Sequence, residues 1–340
     1  MIGLVCTRQY CRCLGGSMMI ARKVFISGVA AATFALSGTS GVLAKDAYKV
    51  AIAMPGTITD NGWSQAAYSG LKAAQQELGL EFAYSELVEQ PDQVEVLSDY
   101  ARRGYDLVIG HGGEYQDAVQ RVAKRFPDTA FMVNNGLGVG GNVANADFYF
   151  SQLGYLMGYT AAKMSKANII GIMIAQEFKF TNDSVQGYKD GAEAAVPGTK
   201  VLMTVTGDWN DVAKGKEAAL NQLSQGADVV WPTMDGATVG ALQAVEEKKA
   251  YAVGLYYDAI EKWPDIVIQS AILDVSQNML TYLRLSVKGE LKGQLYKADL
   301  NNEAAMRIGT FHADVPEDVR AEVQGLVAKM RSGELKPQPY

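Results

Sequence analysis

Short apolar segments alternate along most of this chain with segments of helical periodicity, and this alternation limits the folds that the chain can adopt. Each apolar segment is four to seven residues long, as in DLVIG at 106–110 and IIGIMI at 169–174. The stretch after each one carries apolar residues three or four positions apart, which is typical of a helix with one buried face. A repeated β-α order predicts parallel sheets with helices on both faces.

The alternation falls into two series of similar architecture without sequence repetition. Strands are predicted at 48–54, 80–84, 106–110 and 130–133 in the first series, and at 169–174, 200–206, 227–232 and 251–255 in the second. Helices are predicted at 62–78, 91–103, 115–126, 153–164, 181–194, 211–225 and 237–248. Extended segments within 294–311 and a closing helix at 316–332 complete the chain. The predicted fold is an α/β protein of two doubly wound parallel-sheet lobes with a cleft between them.

The first 44 residues have a composition of their own and are interpreted as an upstream extension followed by a secretory signal. Arg22 and Lys23 precede a small apolar run at 24–36, and Val-Leu-Ala at 42–44 provides a small-x-small cleavage site. The exported chain is therefore expected to begin at Lys45. A membrane anchor is the alternative, but the run is shorter than the roughly 20 residues that span a bilayer.

Charge and cysteine content narrow the classes of function. The full chain carries 31 basic and 37 acidic side chains, a net charge of −6. Four of the basic residues and all three cysteines lie before residue 45, so the rest carries 27 basic against 37 acidic side chains, a net charge of −10, and no cysteine. An acidic chain is a poor general binder of nucleic acid. A chain of this length can rely on a hydrophobic core without disulfides.

The predicted strand ends identify candidate binding residues, because ligands of open parallel sheets bind beyond the carboxyl ends of the strands. Asp60, Asn61 and Trp63 follow the first strand, and Trp209 follows a strand of the second series. One tryptophan from each lobe suggests an aromatic sandwich around a flat ligand. The alternative for Asp60 and Asn61 is a helix cap, and for Trp209 a surface position beside a cap.

Other strand ends add polar and aromatic candidates to the same cleft. These are Glu114, Tyr115, Phe178, Asp235 and Asp258. Carboxylates would accept hydrogen bonds from ring N–H groups, amino groups or ribose hydroxyls, although solvated loop acids are the simpler interpretation of Asp235 and Asp258. The glycine-rich sequence after His111 could cradle phosphate, but no phosphate-loop motif accompanies it.

Catalytic signatures are not evident in the sequence. It has no G-x-S-x-G or H-E-x-x-H motif, and its two histidines, His111 and His312, lie far apart. No catalytic residue, metal site or cofactor is therefore predicted, although carboxylate pairs stay open because sequence does not give their separation.

The order of several short motifs resembles the basic-membrane-protein (BMP) family of ABC-transporter substrate-binding proteins, which includes purine-nucleoside receptors. The motifs are Asp-Asn-Gly-Trp at 60–63, Gly-Tyr-Leu-Met-Gly at 154–158, Gly-Tyr-Lys-Asp-Gly at 187–191, Trp-Asn-Asp at 209–211 and Gly-Ala-Asp-Val-Val at 226–230. The resemblance implies a type I periplasmic-binding fold with three hinge crossings and closure over the ligand. The lobes are expected at 45–150 with 253–285, and at 151–252 with 286–340.

The resemblance also implies what binds and where. Trp63 and Trp209 match the aromatics that sandwich a purine, and Asp235 and Asp258 match positions near the base and the sugar. Leu273 stands where nucleoside-binding members typically carry a ribose-contacting lysine, which favours a free nucleobase such as adenine, guanine or hypoxanthine. The implied partner is an inner-membrane ABC permease, and the implied protein is a periplasmic monomer.

Three other interpretations stay open at this point. The first is a nucleoside or sugar receptor of the same fold, with more polar side chains in its cleft. The second is an enzyme such as a nucleoside hydrolase. The third is the effector lobe of a repressor, which the signal segment and the lack of a DNA-binding region disfavour.

Overall fold

Two six-stranded sheets organise the residues that this computed structural model describes, which are 47–60 and 62–338. The strands are β1 (Lys49–Ala53), β2 (Glu81–Ser85), β3 (Leu107–His111), β4 (Ala130–Asn134), β5 (Val143–Phe148), β6 (Ile169–Ile174), β7 (Lys200–Val205), β8 (Val229–Thr233), β9 (Tyr251–Leu255), β10 (Val267–Leu273), β11 (Leu295–Ala298) and β12 (Met306–Ile308). The first sheet has the order β11-β5-β4-β3-β1-β2, and the second has the order β12-β10-β9-β8-β6-β7. Neighbouring strands are parallel except for β12, which runs antiparallel to β10. The predicted fold class is confirmed.

Helices connect most successive strands and cover both sheets; β4 and β5 are joined by a loop, and β9 and β10 by a short 3₁₀ turn. They are α1 (Trp63–Leu78), α2 (Gln93–Arg102), α3 (Gln116–Ala123), α4 (Phe150–Met164), α5 (Lys179–Ala195), α6 (Val212–Ser224), α7 (Ala237–Lys248), α8 (Val275–Val287) and α9 (Glu317–Ser332). Because helices bury both faces of these sheets, the central strands read as continuous apolar runs instead of alternating ones. All five residues of β3 and of β8 are buried. In the described part of the chain, no helix has the length and hydropathy needed to cross a membrane.

The chain passes between the two sheets three times in the described residues: after β5, after β10 and after β11. The three connections are tied to one another by backbone hydrogen bonds. Tyr149 N–H donates to the carbonyl of Ala298 at 2.9 Å, and Asp274 N–H donates to the carbonyl of Ala305 at 2.8 Å. We call each sheet with the helices packed on it a lobe; the first lobe contains β1 and the second contains β6.

Sheet membership corrects the expected lobe boundaries. Residues 253–285 were expected in the first lobe, but β9 and β10 lie in the second sheet. Only α8 from that range belongs to the first lobe, where it packs against α1 and Ser276 Oγ donates to the carbonyl of Ala66 at 2.7 Å. Likewise β11, expected in the second lobe, pairs with β5 of the first. A strand that follows a βα unit adds beside the preceding strand, so β9 extends the sheet that β8 belongs to.

Helices α4 and α5 pack unusually closely, and glycines make this possible. A Cβ atom added at Gly158 would collide with the carbonyl oxygen of Tyr188, and one added at Gly191 would collide with that of Tyr155. The Gly-x-x-x-Gly spacing seen at 154–158 and 187–191 therefore serves helix packing in the second lobe. This pair of helices supports Phe150 and Phe180, which reach the cleft at the helix starts.

Candidate functional site

The carboxyl ends of the strands from both sheets surround a cavity. The first lobe contributes Pro55, Trp63, Gly112, Glu114 and Asn135, and the second contributes Phe180, Trp209, Asp235 and Tyr256. The cavity thus combines aromatic walls with a few polar groups, which is the usual character of a small-molecule site. Among the described residues, neither Lys nor Arg lines it.

Trp63 is held from behind by His111. Their rings are stacked with centroids 4.3 Å apart and an interplanar angle of 13°. The Trp63 indole donates to the carbonyl of His111 at 3.3 Å, and His111 Nε2 donates to the carbonyl of Trp63 at 3.0 Å. The Asn134 amide donates to His111 Nδ1 at 2.6 Å, and burial lowers the pKa of His111 to about 3, so the imidazole is neutral. One indole face is therefore occupied by protein, and the residue also lines the cavity.

Trp209 reaches the cavity from a short loop that two carboxylates shape. Asp208 accepts hydrogen bonds from the backbone N–H groups of Asn210 and Asp211, and Asp211 caps α6 by accepting from Ala213 and Lys214. The carbonyl of Trp209 accepts from the backbone of Asp235 and of Ala237. The loop is thereby joined to the end of β8, and it holds a half-buried indole at the cleft.

Phe180 connects Trp209 with the base of α4. Its ring is stacked with Trp209 at 6.1 Å and 20°, and with Phe178 at 5.7 Å and 9°. It also lies 5.5 Å from the ring of Phe150. The second lobe therefore presents a run of aromatic rings that includes the expected Trp209 and Phe178, and Phe180 is a wall residue that the sequence-based prediction missed.

Asp235 lies beside Tyr256 on the second-lobe side of the cavity. The Tyr256 hydroxyl donates to Asp235 Oδ1 at 2.8 Å. Burial raises the pKa of Asp235 to about 8, and the negative charge of Asp60 raises it further. The hydrogen bond from Tyr256 acts in the opposite direction and lowers this pKa. Gly62 of the first lobe approaches Asp235 closely enough that a Cβ there would lie 3.4 Å from its Cα atom. Asp235 therefore stands where the two lobes meet.

Glu114 supplies a second carboxyl to the same cavity. Burial raises its pKa to about 7. Gly112 adopts a φ of 147°, and a Cβ atom at that position would collide with the carboxyl group of Glu114. Glycine therefore permits Glu114 to lie over its own loop.

Asn135 adds an amide to these acids. Its buried Oδ1 atom has no hydrogen-bond partner among the described residues. With Glu114 and Asp235, the cavity presents three acceptor groups to a bound molecule, which suits a ligand rich in N–H donors.

Four of the predicted site residues lie outside this cavity, namely Asp60, Tyr115, Phe178 and Asp258. Asp60 caps the first turn of α1 by accepting from the backbone of Gly62, Ser64 and Gln65. Phe178 lines an outer groove next to the cavity. Asp258 accepts a hydrogen bond from the backbone N–H of Thr310 at 2.9 Å. It lines neither this cavity nor the second, adjoining cavity described below. Asn61 lies outside the described residues, as does the predicted signal segment.

Tyr115 requires a correction. It was expected at the ligand, but its side chain is fully buried in the core of the first lobe, and its hydroxyl donates to the carbonyl of Val88 at 3.3 Å. The chain turns through a short 3₁₀ helix at Gly113–Tyr115, which directs Glu114 to the cavity and Tyr115 to the core.

Asn135 and Tyr256 were not predicted, yet both line the cavity. Asn135 directly follows β4, and Tyr256 directly follows β9. Both residues have a left-handed backbone conformation, with φ of 60° and 70° respectively. Such a conformation in an aromatic residue costs about 1–3 kcal/mol and is concentrated at functional sites. Their position at strand ends was visible in the sequence, but the backbone conformation that points them inward was not.

A second cavity adjoins the first and shares Phe180, Trp209 and Tyr256 with it. Leu273, singled out in the sequence, lies in its wall and is 2% exposed. Within residues 47–60 and 62–338, no group of three or more His, Cys, Asp or Glu is placed to hold a metal ion.

Comparison with known proteins gives one family. The model of the Bmp family, described as ABC transporter substrate-binding protein PnrA-like, matches residues 47–321. A transcriptional activator protein, Med, of Bacillus subtilis is 29% identical over 84% of this chain and 90% of its own length. A purine-binding protein of Brucella abortus is 27% identical over 90% of this chain and 87% of its own length.

A solved structure agrees with the architecture described above. An ABC transporter solute-binding protein from Conexibacter woesei superimposes with a TM-score of 0.67 and 27% identity. The match covers 86% of this chain and 99% of that one.

Proposed function

The chain belongs to the Bmp family of PnrA-like ABC transporter substrate-binding proteins, and we propose that its cleft captures a purine nucleobase or a related flat heterocycle. A substrate-binding protein of an ABC importer binds a small molecule outside the cytoplasm and delivers it to a membrane permease. The observation that carries the proposal is one cavity in which tryptophans of both lobes accompany three hydrogen-bond acceptors. The similarity to a purine-binding protein supports it.

The ring of the ligand would lie between Trp63 and Trp209. His111 covers one face of the Trp63 indole. Only the other indole face can therefore stack on a ligand, which suits a residue that forms one wall of the site. Stacking a base on an aromatic side chain contributes about 1–3 kcal/mol. Two walls would supply a substantial part of the roughly 8–12 kcal/mol of a micromolar to nanomolar receptor.

The three acceptor groups would bind the edge of the ring by accepting hydrogen bonds from its N–H groups. Purines carry ring N–H groups, and adenine and guanine also carry an amino group. Glu114, Asn135 and Asp235 can each accept such a hydrogen bond. An isolated carboxylate in this buried setting is costly, and a donor from the ligand would offset that cost. A phosphate-bearing ligand is disfavoured because, among the described residues, no Lys or Arg lines the cavity to neutralise it, and Glu114 and Asp235 would repel it once ionised.

The free base is proposed over the nucleoside because Leu273 provides no polar group for a ribose. Calorimetric titration with adenine, guanine and hypoxanthine beside adenosine, guanosine and inosine tests both points. At least one base should bind more tightly than its nucleoside. Tighter binding of every nucleoside would refute the preference for the base, and binding of none of the six would refute the proposal itself. Release of free base from inosine or adenosine would instead identify an enzyme.

The receptor is further proposed to be a periplasmic monomer whose mature chain begins at Lys45. The support is the succession of basic, apolar and small residues before that position. N-terminal sequencing of the exported protein, with sedimentation analysis of the same sample, decides the matter. A soluble cytoplasmic protein that retains Met18 would contradict it.

A further inference from the structure

The second cavity has a chemical character different from the first. Apart from the three aromatic residues that both cavities share, its wall is mainly apolar. The apolar contributors are Phe150, Leu153, Trp231, Leu255, Ala271 and Leu273. In the described part of the chain, no charged side chain lines this cavity.

The hydroxyl groups in this wall already have hydrogen-bond partners. Thr181 Oγ1 donates to the carbonyl of Gln176 at 2.8 Å, and Thr233 Oγ1 donates to that of Met173 at 2.8 Å. Ser184 Oγ donates to the carbonyl of Phe180 at 3.2 Å. Each hydroxyl has a single proton, so none is left to donate to a bound molecule.

One buried side-chain donor of the wall remains, the indole N–H of Trp231, which has no partner among the described residues. A single donor can match one acceptor atom, and the hydroxyl oxygens of the wall can only accept, so the wall cannot pair both the donor and the acceptor sites of several sugar hydroxyls. A sugar placed here would lose its hydrogen bonds to water without replacing most of them, which disfavours binding.

We propose that the natural ligand is a flat heterocycle bearing an apolar substituent, and that this alkyl or aryl group occupies the second cavity while the ring lies in the first. The inference rests on the function proposed above and adds the chemical class of the ligand. The adjacency of the two cavities supports it, since Phe180, Trp209 and Tyr256 border both. The neighbouring rings of Phe150 and Phe180, 5.5 Å apart, offer an apolar surface to such a group.

Two matched ligand series test the proposal, because either of two ring positions could carry the substituent. Adenine is compared by calorimetry with adenines alkylated at N9, from methyl to butyl, and with adenines alkylated at the exocyclic N6. In one series the affinity should rise about three- to fourfold for each methylene buried, the equivalent of ~0.8 kcal/mol. Adenosine should bind more weakly than 9-butyladenine.

A variant locates the substituent. Ala271→Val narrows the second cavity and should reduce the gain from the alkyl chain, measured as the ratio of alkyladenine to adenine affinity in the same variant, at least tenfold. Ala252→Val, on the neighbouring strand β9 and outside both cavities, is the matched control. If Ala271→Val does not fold, Leu273→Ala enlarges the cavity instead and should shift the best chain length upward.

The outcomes separate the two proposals. Binding of adenine with no gain in either alkyl series, or a gain that Ala271→Val leaves intact, overturns the apolar subsite but not the purine receptor. Failure of adenine and of all its derivatives to bind overturns both. A rising series that the Ala271→Val variant removes supports both.

Discussion

Trp63 and His111 hold each other in place through one stacked pair of faces and two reciprocal hydrogen bonds. The aromatic wall of the first lobe is consequently part of the folded core, with Trp63 only 6% exposed. The wall of the second lobe is different, because Trp209 is half-buried on a loop. The two walls should therefore respond differently to substitution.

Trp209→Ala should weaken ligand binding without unfolding the protein. Loss of one stacked face, about 1–3 kcal/mol, corresponds to a fall in affinity of roughly five- to 150-fold. The melting temperature without ligand should change little. Titration calorimetry and thermal unfolding of the same sample check both. Normal affinity with an early unfolding transition would make Trp209 a packing residue.

Trp63→Ala should weaken binding and also destabilise the fold by about 3–5 kcal/mol, the usual cost of truncating a large buried aromatic. Trp63→Phe is the control, since it keeps a ring against His111 but loses the indole hydrogen bond. It should retain most of the stability and part of the affinity. Equal stability of the alanine variant and the native chain would show that the His111 contact carries little energy.

Ligand binding should release protons between about pH 5 and pH 8. Burial raises the pKa of Asp235 to about 8 and of Glu114 to about 7. Donors on the ligand stabilise the charged carboxylates and lower both values, so the affinity should rise with pH across this range. Calorimetry in two buffers of different ionisation enthalpy gives the number of protons. Asp235→Asn should bind more weakly and release fewer.

The same two groups affect stability without ligand. Because their pKa values are raised in the folded state, their contribution is fully present below about pH 4 and is lost as the pH rises towards 8. The apo protein should therefore be destabilised by these groups on going from acid to neutral pH. Asp235→Asn should reduce that dependence in urea unfolding. An unchanged pH profile would show that Asp235 is already ionised in the cleft.

Gly158→Ala and Gly191→Ala should each destabilise the protein by 1 kcal/mol or more, because the added methyl group would collide with the backbone of the facing helix. Gly325→Ala is the matched control. It lies exposed within α9 with no atom within 4 Å of the new Cβ, so it should stabilise the helix by about 0.5–1 kcal/mol. Denaturant unfolding of the three variants checks the contrast. A stabilising Gly158→Ala would show that α4 and α5 can separate at little cost.

Lys297→Met should destabilise the first sheet by about 3–5 kcal/mol at neutral pH. Lys297 Nζ lies 3.0 Å from Asp147 Oδ2 across the β11–β5 pair, and both side chains are largely buried. Removing the lysine leaves a buried carboxylate whose pKa burial already raises. Asp147→Asn in the same chain should recover part of the loss. If the double variant is no more stable than the single one, the lost packing of Lys297 is the cause.

The alternation of apolar runs and helical stretches was enough to predict the first four strands and the helices between them. It did not reveal β5, because Asn145 and Asp147 interrupt its apolar pattern. In the structure the Asn145 amide donates to the carbonyl of Gly138, and Asp147 pairs with Lys297. A partner 150 residues away, as Lys297 is from Asp147, cannot be read from a local pattern, so a polar residue in a buried strand conceals that strand.

The candidate site shows the same limit. Strand ends are visible in a sequence, which is why Trp63, Glu114, Trp209 and Asp235 could be predicted there, and the structure brings these four around one cavity. The direction in which a side chain points at a strand end depends on one or two backbone angles. Tyr115 therefore turned out to be a core residue. The direction of a side chain within a turn is decided by packing that the sequence does not display.

The returning strands β11 and β12 have a consequence for how the chain folds. Leu295 pairs with Asn145, 150 residues earlier, and Met306 pairs with Leu273 in the other sheet. Neither sheet can be completed until the last tenth or so of the polypeptide has been synthesised. Contacts this distant along the chain slow folding. Strand β10 is buried along its whole length in the finished protein, so in a shortened product that lacks β12 it would be an exposed edge strand, open to pairing with other chains. Both lobes can therefore finish folding only after the carboxyl-terminal segment has been translated. Translation that stops before residue 295 leaves an aggregation-prone fragment.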